Sequence, residues 1–264
     1  MGSATREATT ALRDTLAQQG GAVDLAVGEE LLQVARLLGS SAQLRSVLAD
    51  PTADAAGKAA LVERAFSGKV APGTLAVLKA AAQQRWSRPA DIIDGLEEAG
   101  VRALAQSAPD SVSITDELFA FGGAVTSDPQ LELALRSKLA EPAAKAGVVE
   151  RLLGGKVSPA TLAIARQLVM EPRGRGIRES LRWAAQVAAD QSDAVLATVT
   201  TARPLTTEQR DRLRGALQAR YGRAIAINTV IDPTIIGGLR VQVGDDVIDS
   251  SIATRLNDVR LQLA

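Results

Sequence analysis

The sequence predicts a mainly α protein, with a duplicated N-terminal helical bundle followed by a small α+β C-terminal domain. Three observations carry this. Helix-forming alanine and leucine are abundant in a composition that is 46% hydrophobic but only 2% aromatic. Residues 58–76, KAALVERAFSGKVAPGTLA, recur at 145–163 as KAGVVERLLGGKVSPATLA, with twelve of nineteen positions identical at a constant offset of 87. Beyond Asp193 the pattern changes to β-branched runs separated by glycine turns.

The same offset aligns Glu30-Leu31 with Glu117-Leu118, Gln43-Leu44 with Gln130-Leu131, Leu48 with Leu135 and Arg88 with Arg175. Shared composition alone would let the register drift, and it does not. Residues 3–17 place Ala8, Leu12 and Leu16 on one helical face. The first copy then continues with a helix carrying Val27, Leu31, Val34 and Leu38, and a short one with Leu44, Val47 and Leu48 that stops at Asp50-Pro51. A third carries Ala59, Val62 and Phe66 and ends at Gly68. Pro72 opens a fourth with Leu75, Leu78 and Ala82, and the last carries Ile92, Leu96, Ala99 and Ala103. The second copy repeats this order through Leu118 and Val125, Leu131 and Leu135, and Val149 and Leu152. Ser158-Pro159 then starts a helix with Leu162, Ala165 and Leu168, and Ile177, Leu181, Ala184 and Val187 close the copy. The opening helix has no duplicate, because its offset partner, around 90–104, is already the last helix of the first copy.

Residues 194–201 read as a buried strand. Thr206-Thr207-Glu208-Gln209 is a capping box that opens a helix with Leu213, Leu217 and Tyr221, closed by Gly222. Ile225 to Ile231 alternate as a strand, and Leu239, Val241 and Val243 form the face of another. Gly244-Asp245-Asp246 is a tight turn, and Ser250 or Ser251 caps a final helix striped by Ile252, Leu256, Val259 and Leu263. The expected divisions are 1–108, 109–193 and 194–264.

Composition also bounds the chemistry. Thirty basic residues balance thirty acidic ones, which disfavours a nucleic-acid binder held by a basic surface. Without Cys or His there is no disulfide, no Cys or His metal ligand, no thiol nucleophile and no Ser-His-Asp relay. No uncharged run exceeds ten residues, so direct bilayer insertion is not expected, and the first residues lack the apolar core of a signal peptide. Gly68-Lys69 and Gly155-Lys156 fail the phosphate-loop pattern, since Glu63 and Glu150 replace its first glycine and Val70 and Val157 its hydroxyl. They read as helix stops. Asp245, Asp246 and Asp249 lack the spacing of a calcium loop and read as a hairpin turn, so no metal or cofactor is expected. Residues 173–178, Arg-Gly-Arg-Gly-Ile-Arg, read as an exposed interhelix loop. No constellation points to an enzyme, and what remains is surface for binding other proteins.

One run of residues in the last domain carries a resemblance. Arg203-Pro204-Leu205-Thr206-Thr207-Glu208-Gln209 precedes its helix, and Ile231-Asp232-Pro233-Thr234-Ile235-Ile236-Gly237-Gly238-Leu239 follows it. Next come Val241-Gln242-Val243-Gly244-Asp245 and Val247-Ile248-Asp249-Ser250-Ser251-Ile252. This resembles the delta subunit family of the bacterial F-type ATP synthase, relatives of the mitochondrial oligomycin-sensitivity-conferring protein. Gly237, Gly238, Gly244, Asp249 and Ser251 are the motif positions. The helical part resembles the family's six-helix bundle, so the likeness covers essentially the whole chain, and the duplication resembles the longer actinobacterial form. Ala4-Thr5-Arg6-Glu7-Ala8 departs from the family's usual Ala-Arg-x-Tyr-Ala opening.

The resemblance implies a non-catalytic stator subunit, without cofactor, peripheral on the cytoplasmic face of the plasma membrane. It further implies that the helical domain binds the N-terminal helices of the alpha subunits in a groove between its first and fifth helices. The C-terminal domain would hold the b subunits of the peripheral stalk. Leu12, Leu16, Leu75 and Leu78 mark that groove in the first copy, the one with its own opening helix. A helical adaptor of an unrelated complex accounts for the bundles equally well but leaves the C-terminal pattern unexplained.

Overall fold

The computed structural model describes residues 2–249 except 110, 138 and 236. The first bundle consists of α1 (Ser3–Gln19), a 3-10 turn at Gly20–Ala22, α2 (Leu25–Ser40), α3 (Ala42–Leu48), α4 (Ala55–Phe66), α5 (Pro72–Gln83) and α6 (Asp91–Ser107). The second is built from α7 (Ile114–Ser127), α8 (Pro129–Arg136), α9 (Pro142–Leu153), α10 (Pro159–Met170) and α11 (Ile177–Gln191). The last module contains β1 (Val195–Thr201), α12 (Thr207–Tyr221), β2 (Ile225–Ile231), β3 (Leu239–Val243) and β4 (Asp246–Asp249). Contacts group the chain into two compact units, residues 1–188 and 189–264, with both bundles in the first.

Local chemistry sets the helix starts. Asp24, Ser41, Asp54, Ser113, Asp128 and Ser158 each accept a hydrogen bond from a backbone amide in the first turn of the helix they precede. Gly68 and Gly155, both at φ 71°, turn the chain out of α4 and α9 in the left-handed conformation, so the Gly-Lys pairs are helix stops in both copies.

Each bundle closes over its own apolar stripes. Leu12, Leu31, Leu38, Val62, Val77, Ile92 and Leu96 share one core, and Leu118, Phe121, Val149, Ile164, Leu168 and Leu181 another. The pairing of α2 with α6 is extensive. It depends on glycine, because a Cβ on Gly100 would fall 2.7 Å from Leu32 Cδ2 and 3.3 Å from the Gly28 carbonyl oxygen.

On sequence grounds the second bundle lacks a first helix. In the structure α6 takes that place. Its Ile92, Leu96, Ala99 and Ala103 belong to the first core, while Val101 and Leu104, fully buried, belong to the second together with Leu32 of α2. One helix therefore closes the first bundle and opens the second. The physical reason is that α6 is apolar on two faces, which an amphipathic surface helix is not.

In the C-terminal module the strand order is β2-β1-β3-β4. β1 runs parallel to β2, pairing Val195 with Ile225, and antiparallel to β3, pairing Val199 with Val241. The crossover between the parallel strands is α12, whose Leu217 joins Val199, Ile227 and Val241 in a third core. Thr206 and Gln209 complete the capping box, and Gly222 ends α12 at φ 66°. The final helix expected from Ile252 to Leu263, with its cap at Ser250 or Ser251, lies outside the described residues.

Candidate partner-binding surfaces

Helix α1 is held to the first bundle by a small polar anchor. Thr5 Oγ1 donates to Asp91 Oδ2 at 2.6 Å and accepts from the Ser87 amide at 3.1 Å. Arg88 closes on the other Asp91 oxygen at 2.9 Å. Burial by itself would raise the Asp91 carboxyl, but the hydrogen bonds from Thr5 and Arg88 and the Arg88 charge hold it below the usual carboxylate range. Along the rest of α1, Leu12 and Leu16 face α5 and α6 and are 1% exposed, and Leu78 of α5 is 4% exposed. Leu75 is half-buried against the same core. The four leucines thus share one core, three inside it and Leu75 partly buried against it. Beside them on α5, Ala76 is half-buried, Lys79 pairs with Glu63 of α4 at 2.8 Å, and Ala80 packs, half-buried, against the same core.

Helix α5 has no side-chain cap of its own at Ala71. Glu30 supplies one from α2, accepting from the Ala71 amide at 2.8 Å and Thr74 Oγ1 at 2.6 Å. The arrangement recurs 87 residues on. Glu117 accepts from the Ser158 amide at 3.0 Å and from Thr161 Oγ1 at 2.5 Å. A carboxylate at a helix N-terminus meets orphan amides and the positive end of the dipole, so the repeated Glu fixes the angle of the fifth helix in both bundles.

The junction between the bundles is polar at its centre. Glu97 on α6 is fully buried and accepts from Gln167 Nε2 at 3.1 Å and Arg175 Nη2 at 2.9 Å. Arg36 on α2 donates to Gln167 Oε1. The Arg175 guanidinium also lies over the Trp183 ring, 4.3 Å from its centroid. This corrects the expectation of an exposed arginine loop at 173–178. Arg175 reaches inward to pair with Glu97, and Arg173 is half-buried at φ 52°, whereas Arg178 is exposed and pairs with Glu132. A buried carboxylate needs a charged partner, and the loop supplies it. Because α2 touches α6 and α10 together, it lies against the second bundle's counterpart of the α1–α5 seam.

Glu97 escaped the sequence reading because it resembles its neighbour Glu98, an ordinary polar position on an amphipathic helix. The signal was its place on a second apolar stripe, between Ile93 and Val101 at spacings of four.

In the C-terminal module the motif glycines are backbone devices. Gly237, Gly238 and Gly244 sit at φ 108°, 81° and 58°, the first two just before β3 and the third in the β3–β4 turn. Asp249 ends β4 opposite Arg240, and Ser251 lies outside the described residues. Asp246 accepts from Tyr221 Oη at 2.5 Å, which ties the hairpin to α12. Among the described residues no three acidic side chains gather as a metal site, and no helix is long and apolar enough to cross a membrane.

Comparison with known proteins gives a consistent result. The family model "ATP synthase delta (OSCP) subunit" matches residues 101–263, from within α6 through the second bundle and the C-terminal module. An ATP synthase subunit delta from Leifsonia xyli subsp. xyli is 53% identical over 264 residues, covering all of both chains. One from Streptomyces avermitilis is 40% identical over 267 residues, covering 99% of this chain and 98% of the relative. One from Kineococcus radiotolerans is 42% identical over 240 residues, covering 90% and 87%. With duplicated bundles joined through a shared helix, a glycine-hinged C-terminal sheet and full-length relatives of one kind, the chain belongs to the ATP synthase delta (OSCP) subunit family.

Proposed function

We propose that the chain is a non-catalytic stator subunit of an F-type ATP synthase. It joins the N-terminal helices of the alpha subunits to the b subunits of the peripheral stalk, and it is peripheral on the cytoplasmic face of the plasma membrane. The observation that carries this is full-length similarity to relatives named ATP synthase subunit delta. The absence of Cys and His from the sequence leaves little equipment for acid–base or nucleophilic chemistry.

The alpha helix docks on the first bundle, along the α1–α5 seam built on Leu12, Leu16, Leu75 and Leu78. Although the family model aligns with the second bundle, the equivalent α6–α10 seam there has α2 lying against it. The leucines are buried in or against the first core, and half-buried Ala76 on α5 lets a partner backbone come close. The C-terminal module takes the stalk, with its turn glycines keeping the sheet in shape for that contact. Such joints resist torque through helix-in-groove burial rather than through exposed ion pairs.

A matched pair of photocrosslinkers tests the assignment. They are placed at Ala76 and at Ala163, the same repeat position in the second bundle, and each protein is mixed with a peptide of the alpha N-terminus. Crosslinking from position 76 and not 163 is expected. Equal or reversed yields would place the joint elsewhere.

A further inference from the structure

The bundles meet through a cluster that hydrophobic packing does not require. Arg36 of α2, Gln167 of α10, Glu97 of α6, Arg175 of the α10–α11 loop and Trp183 of α11 form one chain of contacts. Around it the packing is apolar, with Leu32 of α2, Val101 and Leu104 of α6, and Ile164 and Leu168 of α10 in the same core. Apolar burial has no direction, and a helix face striped at spacings of four offers nearly the same burial one turn further along. A helix shared by two bundles therefore needs something else to say where α10 stops.

Glu97 supplies it. Ile93 and Val101 stand one turn before and after it on α6, and both are buried and apolar. Sliding α10 by one turn either way would set the Gln167 amide against one of them. The Glu97 carboxylate, 0% exposed, would then lose its Gln167 donor. Buried polar groups stranded in this way are strongly destabilising, so both neighbouring registers are penalised. Glu98 cannot stand in, because it is the next residue round the helix and already pairs with Arg102 at 2.9 Å. The loop is bent to complete the cluster. Arg173 at φ 52° and Gly174 at φ 75° turn the chain through left-handed conformations, the first costly for a residue with a Cβ. Arg175 then reaches Glu97 at 2.9 Å.

We propose that this cluster is a register lock. It gives α10, and with it the second bundle, a single placement on α6 rather than a large gain in stability. An apolar replacement of similar volume keeps the bundles associated but leaves more than one placement. With the lock closed, surfaces on the two bundles keep one distance and one angle whatever they bind, so the lock is independent of the stator assignment.

The sequence has no cysteine, so paired spin labels can be attached at introduced cysteines without background. In the full chain, exposed Thr10 and Thr126 report across the junction, and Thr10 and Ser46 report within the first bundle. The parent is expected to give one narrow distance distribution for each pair by double electron–electron resonance. Glu97→Leu/Gln167→Leu/Arg175→Met should stay helical and unfold cooperatively in urea. Its cross-junction distribution should widen about twofold or split by about 5 Å, the rise of one helical turn. Its Thr10–Ser46 distribution should stay as narrow as the parent's. Gln167→Met leaves the Glu97–Arg175 pair in place and widens the cross-junction distribution to a lesser degree, and it carries the test if the triple replacement does not fold. The proposal is overturned if the variants that fold keep the parent's cross-junction width, or if the Thr10–Ser46 pair widens as much, which would mark a general loosening.

Discussion

Four carboxylates show how much one side chain decides here. Asp91 has its pKa depressed in the folded chain, so its stabilisation is fully present above the unfolded value near ~3.9 and lost as pH falls through the folded one. Asp91→Asn is therefore expected to cost about 1–3 kcal/mol at neutral pH, with the gap to the parent closing in urea titrations at strongly acidic pH. Glu30→Gln and Glu117→Gln should each cost about 1–2 kcal/mol, and by similar amounts, because the two do the same work at the same place in the repeat. Unequal losses in chemical denaturation would show that one fifth helix is anchored differently. Glu97 is the severe case. Glu97→Leu leaves Arg175 half-buried without its carboxylate and is expected to cost about 3–5 kcal/mol, and adding Arg175→Met should recover part of it in a double-mutant cycle. Of these residues, sequence alone flagged only the Glu30–Glu117 correspondence. Thr5, which donates to Asp91, and Arg175, which pairs with Glu97, lie 86 and 78 residues away along the chain, beyond what periodicity can pair.

Elements were far more legible than contacts. Proline and serine starts, glycine stops and stripes at spacings of three and four placed the helices, because those signals are local. The capping box at Thr206 and the tight turn at Gly244 emerged for the same reason. What could not be read was why α2 carries Gly28 and α6 carries Gly100, since only the crossing of the two helices explains them. Gly100→Ala gains helix propensity of about 0.5–1 kcal/mol but forces Leu32 aside, and a net loss of about 1–3 kcal/mol is expected in thermal unfolding. Gly123→Ala is the contrast. It sits exposed within α7 with open space around its missing Cβ, so the same change should stabilise by about 0.5–1 kcal/mol.

Across the molecule, the duplication was obvious in the sequence and its assembly was not. A repeat offset of 87 suggests two beads on a string, yet Leu32, Val101 and Leu104 of the first copy sit in the second core. A single apolar stripe places α6 in one bundle only, whereas its two apolar faces serve both. A fragment ending at residue 108 should accordingly be less stable than the same residues in the full chain and should aggregate through the uncovered leucines. In the full chain the two bundles are expected to melt in one transition, and two resolved calorimetric peaks from residues 1–188 would contradict that.

The doubly apolar helix α6 has a consequence for how this chain can change. Inserting or deleting one residue in its middle would swing everything downstream by about 100° about the helix axis. Loops elsewhere absorb such slips, but this rod is bolted at both ends to different neighbours. Its length is consequently the least negotiable dimension of the protein, and a frameshift of one position there would unseat two hydrophobic interiors in a single stroke.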